Sequence, residues 1–160
     1  MADKFTLSAG AIVCYHKYPL SEAIHRAGMM LKDHAKKHKN KDGKEKNATA
    51  ISLIKGHTEA LNLTFSNDLI DKLKDLKENL IKSDISRTTP YRIEKQRAIF
   101  ELITDKELRN NYLYTIINGT RNPDRENEKI KELVELLMSF GDTETMISAL
   151  LFARFMTGDR

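Results

Sequence analysis

Phe5, Leu7, Ala9, Ala11, Val13 and Tyr15 are apolar or aromatic, and they alternate with Thr6, Ser8, Gly10, Ile12, Cys14 and His16. A period of two predicts a strand. Apolar or small residues on both of its faces predict a central strand, covered on both sides. The period changes at Tyr18-Pro19-Leu20. Proline suits the first turn of a helix, and Leu20, Ala23, Ile24, Ala27, Leu31 and Ala35 recur at helical spacing. Between Asn40 and Asn47 that pattern breaks, with Asp42-Gly43 as a turn signal. Ala48–Lys55 reads as a second strand and Ala60–Phe65 as a third, with Leu61, Leu63 and Phe65 on one face.

Beyond Ser66 the period is helical. Ser66 is placed to cap a helix carrying Leu69, Ile70, Leu73, Leu76, Leu80 and Ile81. A polar connection spans Ser83–Thr89, and Pro90 opens a helix through Ile103. Thr104-Asp105-Lys106-Glu107 has the hydroxyl and carboxylate spacing of a capping box. It starts a helix through Leu108, Tyr112 and Ile116 that stops near Gly119. Asn122-Pro123-Asp124 starts another, with Ile130, Leu133, Val134 and Leu137 inside and Gly141 at its end. Asp142 caps a last helix bearing Met146, Ile147, Leu150, Leu151 and Phe155, which Gly158 ends. The expected class is therefore α+β. Residues 1–65, in the order strand, helix, strand, strand, form a partial ferredoxin-like palm, the sheet on which nucleotide-polymerising domains are built. Residues 66–160 form an all-α bundle of about five helices.

Composition narrows the setting. No run of about 18 apolar residues is present, as a membrane-spanning helix would need. The lone cysteine, Cys14, allows no intramolecular disulfide and fits the cytoplasm. The net charge of +4 has one source: seven lysines between Lys32 and Lys46 face only Asp33, Asp42 and Glu45, and the rest of the chain is neutral. Such a loop can meet phosphate. Its members Lys37, Lys39, Lys41 and Lys44 are the candidate nucleic-acid contacts, although a lysine run is equally read as a solvated loop.

A palm needs carboxylates on a hairpin to hold two divalent metals, lysines on a neighbouring helix to stabilise the triphosphate, and small residues where the nucleotide lies against backbone. Ser8-Ala9-Gly10 meets the third need; Lys36, Lys37 and Lys46 meet the second. Nothing meets the first, because no Gly-Gly-Asp-Asp or Gly-Gly-Asp-Glu occurs. Other constellations are weaker. His34 and His38 have the spacing of a helical metal pair but lack the glutamate of HExxH and sit among lysines. Cys14 and His16 share a strand face without a third partner. Arg87, Arg92, Arg97, Arg121, Arg125 and Arg154 are interspersed with acids, as on an ordinary solvated helix surface.

The order of these motifs resembles the end of GGDEF-type nucleotidyl cyclase domains, which run strand, S-x-G, helix with A-x-x-A-L-x-x-A-K, basic G-x-N and strand. It is more similar to the large subunit of type III CRISPR effector complexes. There a Pro-Leu corner follows the strand, as in His16-Lys17-Tyr18-Pro19-Leu20. A helix ending in Ala-Lys and a Lys-Asn-led strand come next, as in Ala35-Lys36 and Lys46–Ile51. A helical domain follows, with a last helix like Ala149–Phe155.

The resemblance implies RNA-guided antiviral defence. The complete large subunit converts ATP to cyclic oligoadenylates on binding target RNA, which implies ATP and Mg2+ or Mn2+ for the parent. The partners implied are the small subunit, guide RNA and target RNA, with no membrane. Ser8 matches the strand position facing nucleotide and Lys36 the helix lysine near the triphosphate, with Gly10 and Lys46 beside them. The expectation is a C-terminal portion of the large subunit that binds no cofactor and catalyses nothing alone, supplies a scaffold, and self-associates through its incomplete sheet. The alternatives are a free-standing nucleic-acid-binding module using residues 32–46 and a diguanylate-cyclase-like signalling domain.

Overall fold

The computed structural model describes residues 6–39, 43, 45, 47–55, 60–83, 85–119 and 127–158. The chain forms two compact units, residues 1–70 and 71–160. Its class is α+β, a three-stranded sheet followed by helices.

The first unit is a βαβ crossover with an added strand. Strand β1 (Ala9–Val13) pairs parallel with β2 (Ala48–Leu53), and β2 pairs antiparallel with β3 (Leu61–Ser66), in the order β1-β2-β3. Helix α1 (Leu20–Met29) continues as a π-helical turn over Met30–Ala35, closed by the Lys36 N–H donating to the Leu31 C=O at 3.0 Å. Met30, Ala35 and Ala50 form its core with the sheet, joined by Leu31. The helix lies close: a Cβ on Gly10 would stand 2.4 Å from the Ala27 carbonyl oxygen and 2.5 Å from the Leu31 nitrogen. Gly10 is thus small because backbone occupies the space, and Ala50, opposite it in register, is buried in the core.

The expectation of a central first strand is not met. Among the described residues β1 has one neighbour, β2, and all five of its residues are half-buried. Period two reports that both faces carry apolar residues, not how many strands flank them. Ser66 also differs from expectation. It closes the β3 ladder opposite Ala48, and a 3-10 turn (Asn67–Leu69) separates it from helix α2 (Ile70–Ser83). Its hydroxyl meets His38 Nε2 at 3.2 Å rather than capping a helix.

The second unit is helical. It contains the rest of α2, then α3 (Thr89–Lys95), α4 (Arg97–Leu102), α5 (Lys106–Asn118), α6 (Asn127–Met138) and α7 (Thr143–Met156). The helix expected from Pro90 to Ile103 is two helices, broken at Gln96 (φ −97°, ψ 5°). The cap expected at Thr104 falls one residue later: Asp105 accepts from the Leu108 N–H at 2.8 Å. Asp142 caps α7 as expected, accepting from the Thr145 N–H at 2.8 Å. Asn122-Pro123-Asp124 lies outside the described residues. Ile130, Leu133, Val134, Leu137, Met146 and Leu150 are buried on the helix faces their spacing predicts, whereas α5 buries Leu113 and Ile117 and leaves Leu108 exposed. No helix among the described residues is long and apolar enough to cross a membrane.

Candidate functional site

Parallel pairing puts the N-terminal ends of β1 and β2 side by side, and the crossover helix returns its C-terminal end to the same place. Ser8 therefore precedes β1, Lys36 follows the π-helical turn, and Asn47 precedes β2, all at one end of the unit. His38, bonded to Ser66 opposite the start of β2, marks the same end.

A residue not anticipated from the sequence holds this end together. Asn67 donates from Nδ2 to the Leu7 C=O at 2.7 Å and to Asn47 Oδ1 at 3.2 Å. Its Oδ1 accepts from the Thr49 hydroxyl at 2.7 Å, and its backbone N–H donates to the Asn47 C=O at 2.9 Å. One side chain thus ties the lead-in to β1 to the lead-in to β2. Asn47 adopts φ +55°, a left-handed conformation that asparagine tolerates better than most residues. An asparagine at each strand end reads in sequence only as a turn former; the junction between them is tertiary.

The anticipated residues fare differently. Ser8 is half-buried, and its shielded Oγ has no hydrogen-bond partner among the described residues. Gly10 is accounted for by helix packing: the space a nucleotide would take on its Cβ side is filled by α1 backbone. Lys36 is exposed and has no ion-pair partner among the described residues. Lys37 is committed to Asp33, Nζ to Oδ1 at 2.9 Å. That hydrogen bond, and then the lysine charge itself, hold the Asp33 carboxyl below its usual range. Lys39 is exposed and forms an antiparallel bridge with Glu45. Lys41, Lys44 and Lys46 lie outside the described residues.

His34 is exposed and His38 faces Ser66, so the two do not converge. The π-helical turn explains this, since it breaks the 3.6-residue repeat on which an i, i+4 pair depends. Among the described residues no three His, Cys, Asp or Glu side chains come together as a metal site would require. In the helical unit Arg97 faces Glu94, Glu101 and Glu144 at 3.7, 2.8 and 3.5 Å. Arg154 donates to the carbonyls of Ile85 and Ser86. Both are occupied by the fold. Chemically, the end of the βαβ unit offers a cation, a hydroxyl and amide groups, a set suited to phosphate.

Residues 1–45 match the family model described as Cas10/Cmr2, second palm domain. The match spans β1, α1 and the π-helical turn, and it supports for that segment the likeness to the large subunit of type III CRISPR complexes. No curated protein matches the chain.

Proposed function

We propose that this chain is a non-catalytic component of a type III CRISPR effector complex. Its palm-like unit supports nucleotide phosphate through Ser8, Lys36 and Lys46 and offers the lysine segment to RNA, and its helical unit contacts the small subunit. The observation that carries the reading is that the family match covers β1, α1 and the π-helical turn of a βαβ crossover whose one end collects Ser8, Lys36 and the Asn47–Asn67 junction. A cation, a hydroxyl and amide groups at that end suit phosphate, and among the described residues no three His, Cys, Asp or Glu side chains gather as a metal site would require. The proposed role is therefore scaffolding, with the parent assembly making cyclic oligoadenylates from ATP.

Incubation with ATP and Mg2+ or Mn2+, read by mass spectrometry, tests the catalytic half of this reading. The expected result is unconverted ATP, and cyclic oligoadenylate made by this chain alone would refute it. Titration with purified small subunit, followed by interferometry, tests the scaffold half. Saturable binding is expected, and its absence at high concentration would remove the role assigned to the helical unit.

A further inference from the structure

The outer edge of β1 supports an inference independent of the RNA-guided role. The Val13 C=O accepts from the Ile54 N–H at 2.8 Å, and the Leu7 C=O accepts from Asn67 at 2.7 Å. The odd-numbered residues therefore direct their backbone groups toward the interior of the unit. Successive residues of a strand direct theirs to opposite sides, so Ser8, Gly10, Ile12 and Cys14 present N–H and C=O groups to the outer edge. Among the described residues no strand pairs there. The edge also lacks the usual protections: from Thr6 to Tyr15 there is no charge and no proline.

The residues along this edge match their own reverse. A two-fold axis through Ala11, normal to the sheet, sets Gly10 opposite Ile12 and Ser8 opposite Cys14 in hydrogen-bonded pairs that use the outward groups. It sets Ala11 opposite Ala11, Ala9 opposite Val13 and Leu7 opposite Tyr15 in the non-hydrogen-bonded pairs, where side chains approach most closely. Small residues meet branched ones, and Ala11 meets its twin. Leu7 and Tyr15, exposed at 72% and 42%, flank Ala11 at equal distance on one face, so each would cover the other across the axis. No like charges face each other, whereas the chain's excess positive charge sits in residues 32–46, away from this stretch.

We propose that two copies of this chain pair antiparallel along residues 7–15 about a two-fold axis through Ala11, joining their three-stranded sheets into one. Pairing confined to one strand falls short of the roughly 1,200 Å² at the low end of standard specific interfaces, so dimerisation depends on concentration.

Sedimentation velocity on the full chain over a concentration series tests this. The wild type passes from monomer to dimer as concentration rises. Ala11→Lys and Ala11→Glu each place like charges face to face on the axis and remain monomeric. An equal mixture of the two restores the dimer, because lysine then faces glutamate. Ala11 is half-buried, so hydrogen exchange on the wild type gives a readout free of folding defects. The Gly10 and Ile12 amides slow as dimer forms, while those of Ala9 and Ala11, which face β2, do not change. A monodisperse monomer at the highest soluble concentration, a dimer that persists in both variants, or edge amides whose exchange ignores concentration would each overturn the proposal.

Discussion

Gly10 and Gly28 lie on facing elements and carry opposite meanings. At Gly10 a methyl group would collide with α1 backbone, which cannot yield as a flexible side chain would. Gly10→Ala is expected to destabilise by about 1–3 kcal/mol, the usual cost of overpacking. Nothing lies within 4 Å of a Cβ on Gly28, within α1, so Gly28→Ala is expected to stabilise by about 0.5–1 kcal/mol through helix propensity. Urea unfolding of both variants checks the pair, and equal effects would remove the packing account of Gly10. Asn67 makes three side-chain hydrogen bonds at the end of the sheet. Asn67→Ala is expected to cost about 1–3 kcal/mol, with the larger part arising from the partners it strands. Asp33 offers a pH test: Lys37 lowers its pKa through a hydrogen bond and through its charge. A depressed folded-state pKa gives a stabilisation that is present above the ordinary carboxylate range and lost as pH falls through the folded value. Both side chains are more than half exposed, so this contribution is small. Titration by NMR should find Asp33 below the usual range in the wild type and back within it in Lys37→Gln.

Elements were legible where their signals are local. The period-two run before Val13, the helical spacing of α2, α6 and α7, and the carboxylate of Asp142 before α7 each act within a few residues, and each element formed. What was not legible is set by distant partners. Gln96 interrupts a continuous helical pattern, and its Oε1 accepts from the Tyr112 hydroxyl of α5 at 3.0 Å. Ser66 has the residue type of a helix cap, but β2 and His38 claim it for the sheet. Nor does residue spacing signal the π-helical turn before Lys36 or the Asn67 junction. Motif order singled out Ser8 and Lys36, which lie at one end of the first unit, while the residue that holds that end together was not readable. Arg154 makes the same point within the helical unit. It sits on α7, and its guanidinium closes the connection after α2 by donating to the Ile85 and Ser86 carbonyls. Hydrogen bonds from a charged donor are worth about 1.5–3 kcal/mol, so Arg154→Met is expected to lower stability by about that amount. A shifted urea midpoint at unchanged slope is the check, and an unchanged midpoint would show that the α2–α3 connection holds without it.

At the scale of the whole molecule, the charge distribution says where the proposed RNA contact would fall. Outside residues 32–46 the sequence is neutral, and in the helical unit Arg97 and Arg154 are engaged by carboxylates and carbonyls. A phosphate-binding role therefore concentrates on the lysine segment, where Lys36 and Lys39 are exposed and Lys37 is shared with Asp33. Each lysine that neutralises a phosphate of a single strand adds about 0.7 to the slope of log affinity against log salt. Replacing Lys36 and Lys39 together by glutamine should then flatten the slope for single-stranded RNA by about 1.4. Lys37→Gln should flatten it less, because Asp33 already competes for that ammonium. Fluorescence anisotropy at several salt concentrations reads both numbers. Replacing Arg97 by glutamine serves as the internal control and should leave the slope unchanged. A slope that survives loss of Lys36 and Lys39 but falls with Arg97 would move the RNA contact from the palm-like unit to the helical one.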